Sequence, residues 1–170
     1  MNPTIQPSRT AAVPPKAAHG SRLLRIVLVA GTLDIVTAII VFGVLRGTAT
    51  PVQILQSVAS GVLGPAAYQG GASSALLGLG LHYLIALIWT TLFVTAARAW
   101  PVLRRHWARS GVLYGAAVWA LMNLVVVPLS QVPPRPLTPV GIALNLGILV
   151  LMIGLPIAYL TRRFYGAGNQ

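Results

Sequence analysis

Four stretches of this chain stay apolar for longer than a water-soluble fold can use: Ile26 to Leu45, Ala75 to Ala97, Val112 to Leu129 and Val140 to Leu160. Each reaches the roughly 18–20 residues that cross ~30 Å of hydrocarbon at about 1.5 Å per residue. None alternates with period two. In lipid only helices and closed barrels satisfy their own backbone groups, so the four runs read as helices. Only 8% of the residues are charged, against about 25% in a soluble domain, which is too few to clothe a bundle in water. The expected fold is all-α: an integral membrane four-helix bundle whose main partner is the lipid bilayer.

The charges then set the orientation. Twelve basic residues oppose one acid. Such a balance suggests nucleic acid, but the basic residues are not interleaved with aromatics on one face, so no nucleic-acid partner is expected. They cluster between the apolar runs instead. Arg9, Lys16, Arg22 and Arg25 precede the first run. Arg98, Arg104, Arg105 and Arg109 separate the second from the third, and Arg162 and Arg163 follow the fourth. The other two connections hold only Arg46 and Arg135. By the positive-inside rule the crowded side is cytoplasmic, and both termini are expected there. No small-residue cleavage site follows the first run, so it reads as a retained span. Cysteine is absent, which leaves no disulfide or thiolate chemistry.

Domain boundaries follow. Residues 1–21, with Pro3, Pro7, Pro14 and Pro15, read as a disordered cytoplasmic tail. Residues 22–165 form the four-span domain, with spans at about 26–45, 75–97, 112–129 and 140–160, and 166–170 form a second tail. In the first outer loop, "TPVQILQSVASGVLGP" offers Thr50 as an N-cap, Pro51 at the first helical position and Gly64-Pro65 as a stop. Ile54, Leu55, Val58 and Val62 recur at helical spacing, with Gln53, Gln56, Ser57 and Ser60 opposite. A short amphipathic helix over 51–63 is expected, interfacial or re-entrant. The second outer loop, "SQVPPRPLTP", reads as stiff and extended. Pro128 and Pro156 read as kinks or terminators.

Asp34, the single acid, falls near the middle of the first run, where a carboxylate costs about 2.5–3.5 kcal/mol on insertion scales. It should face the bundle interior, with Thr37 within hydrogen-bonding reach and Ala30, Gly31 and Ala38 allowing a close neighbour. His82 in the second run and Asn123 and Asn145 in the third and fourth reach similar depths, so one polar cluster of Asp34, Thr37, His82, Asn123 and Asn145 is sterically allowed. Tyr83 points about 100° away from His82 and is left out. No metal site and no cofactor are expected, since zinc-type sites need several ligands together. A paired-carboxylate mechanism is impossible with one acid, and no P-loop is present. No catalytic residue is assigned and no enzyme activity is expected.

The segments "ATPVQILQSVASGVLGPAAYQGG", "LHYLIALIW" and "YGAAVWALMNLVVVPLS" resemble a group of small four-span bacterial inner-membrane proteins, and the layout is more loosely similar to YagU-like proteins. The resemblance covers about residues 25–163. It implies a bacterial plasma-membrane location and brings no activity with it. The expected function is a non-enzymatic scaffold or accessory module that packs with a second copy of itself or with another membrane protein. The alternative is a proton-linked permease or channel subunit using Asp34, with His82 as relay. A weaker third reading is haem bound by His82 across a dimer.

Overall fold

The computed structural model describes residues 16–134 and 138–166. The expected tails over 1–15 and 167–170, and Arg135, lie outside them. The described residues are helical almost throughout and contain no strand. Four helices are long and apolar enough to cross a membrane: His19–Leu45, Gly71–Ala99, Trp107–Leu129 and Pro139–Tyr165. They are called the first to fourth long helices below. All but two of their ends extend by a residue or more beyond the apolar runs. Hydrophobicity marks the part suited to lipid, whereas hydrogen bonding carries the helix on into polar flanks. The first helix is already formed at Lys16, where the described residues begin. Residues 16–21 therefore belong to it and not to the tail.

Three of the long helices widen locally into π-helical turns: Ile39–Leu45, Met122–Val126 and Leu149–Gly154. Two of these lie just ahead of Pro128 and Pro156. Proline lacks an N–H and its ring collides with the carbonyl four residues back. A wider turn placed before it removes that collision without ending the helix. Pro156 is accordingly not a terminator, because the fourth helix continues to Tyr165. Pro128 stands inside the last turn of the third helix, which ends at Leu129.

The short helix runs Pro51–Leu63. It is started by a full capping box: Thr50 Oγ1 accepts from the Gln53 N–H at 3.2 Å and Gln53 Oε1 accepts from the Thr50 N–H at 2.8 Å. Gly64, at φ +60°, ends it, and a short 3₁₀ segment, Gly64–Gln69, leads into the second long helix. The short helix then lies back along that helix. A Cβ on Gly78 would overlap the Leu55 carbonyl, so only glycine permits this approach.

This packing decides which side of the short helix faces the bundle. Gln56 and Ser60 are buried, while Val52, Val62 and Leu63 are exposed. Gln56 Nε2 donates to the Gly71 carbonyl at 3.1 Å and to Ser74 Oγ at 3.2 Å, and Ser74 Oγ donates to the Ala67 carbonyl at 2.6 Å. The buried side is mixed, with Ile54 and Ala59 beside Gln56 and Ser60 and with Gln53 exposed, and Gln56 is inside because it meets carbonyl and hydroxyl groups at the start of the second long helix. Helices in an apolar surrounding gain from hydrogen bonds and close contact more than from hiding apolar area.

The third and fourth long helices meet in a similar way. A Cβ on Gly115 would come within 2.6 Å of Val150 Cα, and one on Gly154 would overlap the Gly111 carbonyl. The main apolar core gathers Ile26, Ala30, Phe93, Val94, Ala97, Ile153, Ile157 and Ala158 from the first, second and fourth helices. It occupies the end of the bundle where the basic residues lie. The other end is held by the short helix and by the Gln131 N–H donating to the Gly61 carbonyl at 3.1 Å.

Candidate functional site

Asp34 and His82 come from adjacent helices and meet near their midpoints. His82 Nε2 lies 2.8 Å from the Gly31 carbonyl oxygen. A carbonyl can only accept, so Nε2 carries the hydrogen and donates it. The other ring nitrogen, Nδ1, faces Asp34 Oδ2 at 4.0 Å. That distance is within ion-pair range and beyond a direct hydrogen bond. The backbone of the first helix thus fixes the imidazole, and the fixed ring turns its titratable nitrogen toward the carboxyl group one turn further along. The two side chains can share one proton, as a neutral acid beside a neutral ring or as an ion pair. Either arrangement carries no net charge, which is the condition for keeping an acid among apolar side chains.

The side chains of His82 and Asp34 are 11% and 17% exposed. For the Asp34 carboxyl group no hydrogen bond is made among the described residues. Thr37, expected to bond Asp34, makes no such bond there, since the carboxyl group turns toward the second helix instead. Asp34 and His82 are two potential ligands, and among the described residues no third His, Cys, Asp or Glu joins them.

Asn123 and Asn145 form a separate pair. Asn123 Nδ2 donates to the Trp119 carbonyl at 2.9 Å and to Asn145 Oδ1 at 3.4 Å. The first bond is local to the third helix, and the second crosses to the fourth. No hydrogen bond among the described residues connects this pair to Asp34 and His82. The single polar cluster expected from depth is therefore two pairs, one on each pair of helices.

Tyr83 is an addition that the helical wheel set aside. Its ring lies against Gly31, where a Cβ would sit 3.0 Å from the ring carbons, and its hydroxyl is 2.8 Å from Thr32 Oγ1. His82 and Tyr83 thus straddle the first helix at Gly31-Thr32 and stack edge-to-face at 5.4 Å. The signal was present in the adjacency of Gly31 to Thr32: a gap beside a hydroxyl receives a long phenol that a 100° wheel angle alone would dismiss.

The eight described arginines of the basic end have distinct surroundings. Arg22 donates to the Phe164 carbonyl at 2.9 Å, and Arg104 donates to the Tyr165 carbonyl. Two cations therefore cap the carbonyl end of the fourth helix, where the helix dipole is negative. Arg98 lies 3.4 Å from His19 Nε2. Arg25, Arg105, Arg109, Arg162 and Arg163 are exposed.

Set against protein-family models, curated proteins and solved structures, the chain finds no match in any of the three. The functional reading therefore stands on the geometry.

Proposed function

We propose that this chain is a four-span integral protein of a bacterial plasma membrane, with both ends cytoplasmic, and that it serves as a subunit of a proton-linked permease or channel. The observation that carries the reading is the Asp34–His82 pair. An acid retained only to fix packing would hold a direct hydrogen bond, within its helix or across to the next, and Asp34 makes none among the described residues, with Thr37 three residues away and His82 Nδ1 at 4.0 Å. Asp34 instead points at an imidazole nitrogen whose partner nitrogen is anchored. Ionisable residues at this depth are costly, and proton relays are among the uses that offset the cost. Such a site moves protons and calls for no enzyme activity. The test is proton flux. Proteoliposomes holding the purified protein should dissipate an imposed pH gradient faster than protein-free vesicles, and equal decay would contradict the reading.

Four spans are few for a pathway, so the permease reading calls for an assembly. A second observation favours assembly even without transport, as a scaffold or accessory module packing with itself or another membrane protein. Only 11% of the apolar window of the third long helix is buried, the least of the four. Leu124 on that helix is 61% exposed. A Leu124→Cys variant, in this otherwise cysteine-free chain, should cross-link to a partner chain in lipid. A product that stays monomeric for cysteines placed all along the exposed face would remove both assembly readings.

A further inference from the structure

Among the described residues no acidic side chain lies at the basic end of the bundle. The chain's only acid, Asp34, is committed to His82 in the middle of the helices. Arg22 and Arg104 are satisfied by the last carbonyls of the fourth helix. Arg105 and Arg109 are not. They line, with His106, Trp107 and Ala108, an open concavity of ≈ 270 Å³ where the chain turns from the short helical segment Val102–Arg105 into the third long helix. His106 breaks the helix there with φ −105° and ψ 45°, which brings Arg105 and Arg109 to one hollow. Trp107, part of this lining, is held edge-to-face on Tyr159 of the fourth helix at 5.3 Å. Trp100, ahead of the short segment, and Val112 and Leu113, on the first turns of the third long helix, are exposed apolar residues near it in the chain.

We propose that this hollow binds a phosphate group, carried by an anionic phospholipid headgroup or free in solution. Guanidinium groups match phosphate oxygens in geometry and charge, and arginine pairs them with two parallel hydrogen bonds. These exposed apolar side chains give acyl chains a surface to follow, which favours the headgroup. The inference rests on the membrane reading above and adds to it a specific place where an anion is held.

The experiment uses the full-length protein in nanodiscs. Lipid co-purifying with the protein from mixed neutral and anionic phospholipid is identified by mass spectrometry, alongside binding of inorganic phosphate in purely neutral discs. Enrichment of anionic phospholipid is expected, falling about fivefold for Arg105→Gln or Arg109→Gln and roughly 25-fold for both together. Arg46→Gln, at the opposite end, should leave the enrichment unchanged. Inorganic phosphate binding in neutral discs with the same arginine dependence would support the site and assign it to free phosphate. Enrichment equal to that of bulk lipid with no phosphate binding, or enrichment that survives the double substitution, overturns it. All of these arms need a protein that enters nanodiscs, so failure to incorporate would count against the membrane reading and failure of preference against the hollow alone. The single variants keep the test decisive should the double variant not fold, because both side chains are exposed.

Discussion

Replacing Gly78 by alanine is expected to destabilise the folded protein by about 3 kcal/mol, at the upper end of what overpacking costs. A single methyl group has this effect because it meets backbone. The Leu55 carbonyl and the Ala59 amide lie directly over Gly78, and neither can rotate away as a side chain would. The short helix must therefore lift off the second long helix. That also pulls Gln56 from the Gly71 carbonyl and from Ser74, leaving buried donors and acceptors unmet. Gly80, two residues on, supplies the control: nothing lies within 4 Å of the Cβ it would gain. Gly80→Ala should be neutral, or stabilising by up to about 1 kcal/mol through helix propensity. Denaturant titration of both variants in the same mixed micelles measures the difference, and hydrogen exchange over 51–63 should rise only in Gly78→Ala. Equal stability of the two variants would mean that the short helix is not docked where it is described.

The second large effect concerns Asp34→Asn. The variant keeps the shape of the side chain and removes the only acid in the chain. It is expected to fold and insert about as well as the parent, because the amide, like the neutral acid, brings no charge into the apolar interior. Its proton flux is expected to fall at least tenfold, since a site that cannot ionise cannot exchange a proton. His82→Gln is the matching change on the other side. A glutamine amide can still donate to the Gly31 carbonyl, so the fold should hold while the relay nitrogen is lost. The single acid also gives a clean spectroscopic handle. Apart from the chain's C-terminus, any protonated-carboxyl stretch in the infrared belongs to Asp34, and it should vanish in Asp34→Asn. Flux in Asp34→Asn equal to that of the parent would end the proton-exchange reading while leaving the fold untouched.

Much of the architecture could be read from the residues, and the departures share a physical origin. The apolar runs foretold four long helices, and Leu45 and Leu129 mark the ends of two of them as expected. The short helix was legible to the residue, because Thr50, Pro51 and Gly64 act locally through capping and backbone conformation. Its orientation was not. A polar face reads as outward-facing when water is assumed, whereas Gln56 turns inward to a carbonyl and a hydroxyl of the neighbouring helix and the buried Ser60 hydroxyl donates to the Ser57 carbonyl of its own helix. Of the two readings of Pro156, kink or terminator, the continuing helix leaves only the first. A proline signals a lost hydrogen bond, but the π turn at Leu149–Gly154 that absorbs it depends on i→i+5 bonding, which no residue type advertises.

The candidate site divides similarly. Depth along the helices brought Asp34 to His82 and Asn123 to Asn145, because rise per residue is fixed by the backbone. Depth says nothing of azimuth between helices. The merger into one cluster and the bond from Thr37 to Asp34 were consequently not found among the described residues. Tyr83 shows the converse limit: its length brings the hydroxyl to Thr32 although its Cβ starts on another face.

The central claim is that four helices cross a bilayer with the arginine-rich end on the cytoplasmic side. The chain has no cysteine, so single cysteines can be introduced without background and challenged with a membrane-impermeant maleimide on intact cells. Cysteines replacing Arg46 and Ser130 should label from outside at once, and cysteines replacing Arg105 and Gly166 only after the membrane is opened. Equal labelling of all four in intact cells, or recovery of the protein in the soluble fraction without detergent, would contradict the account.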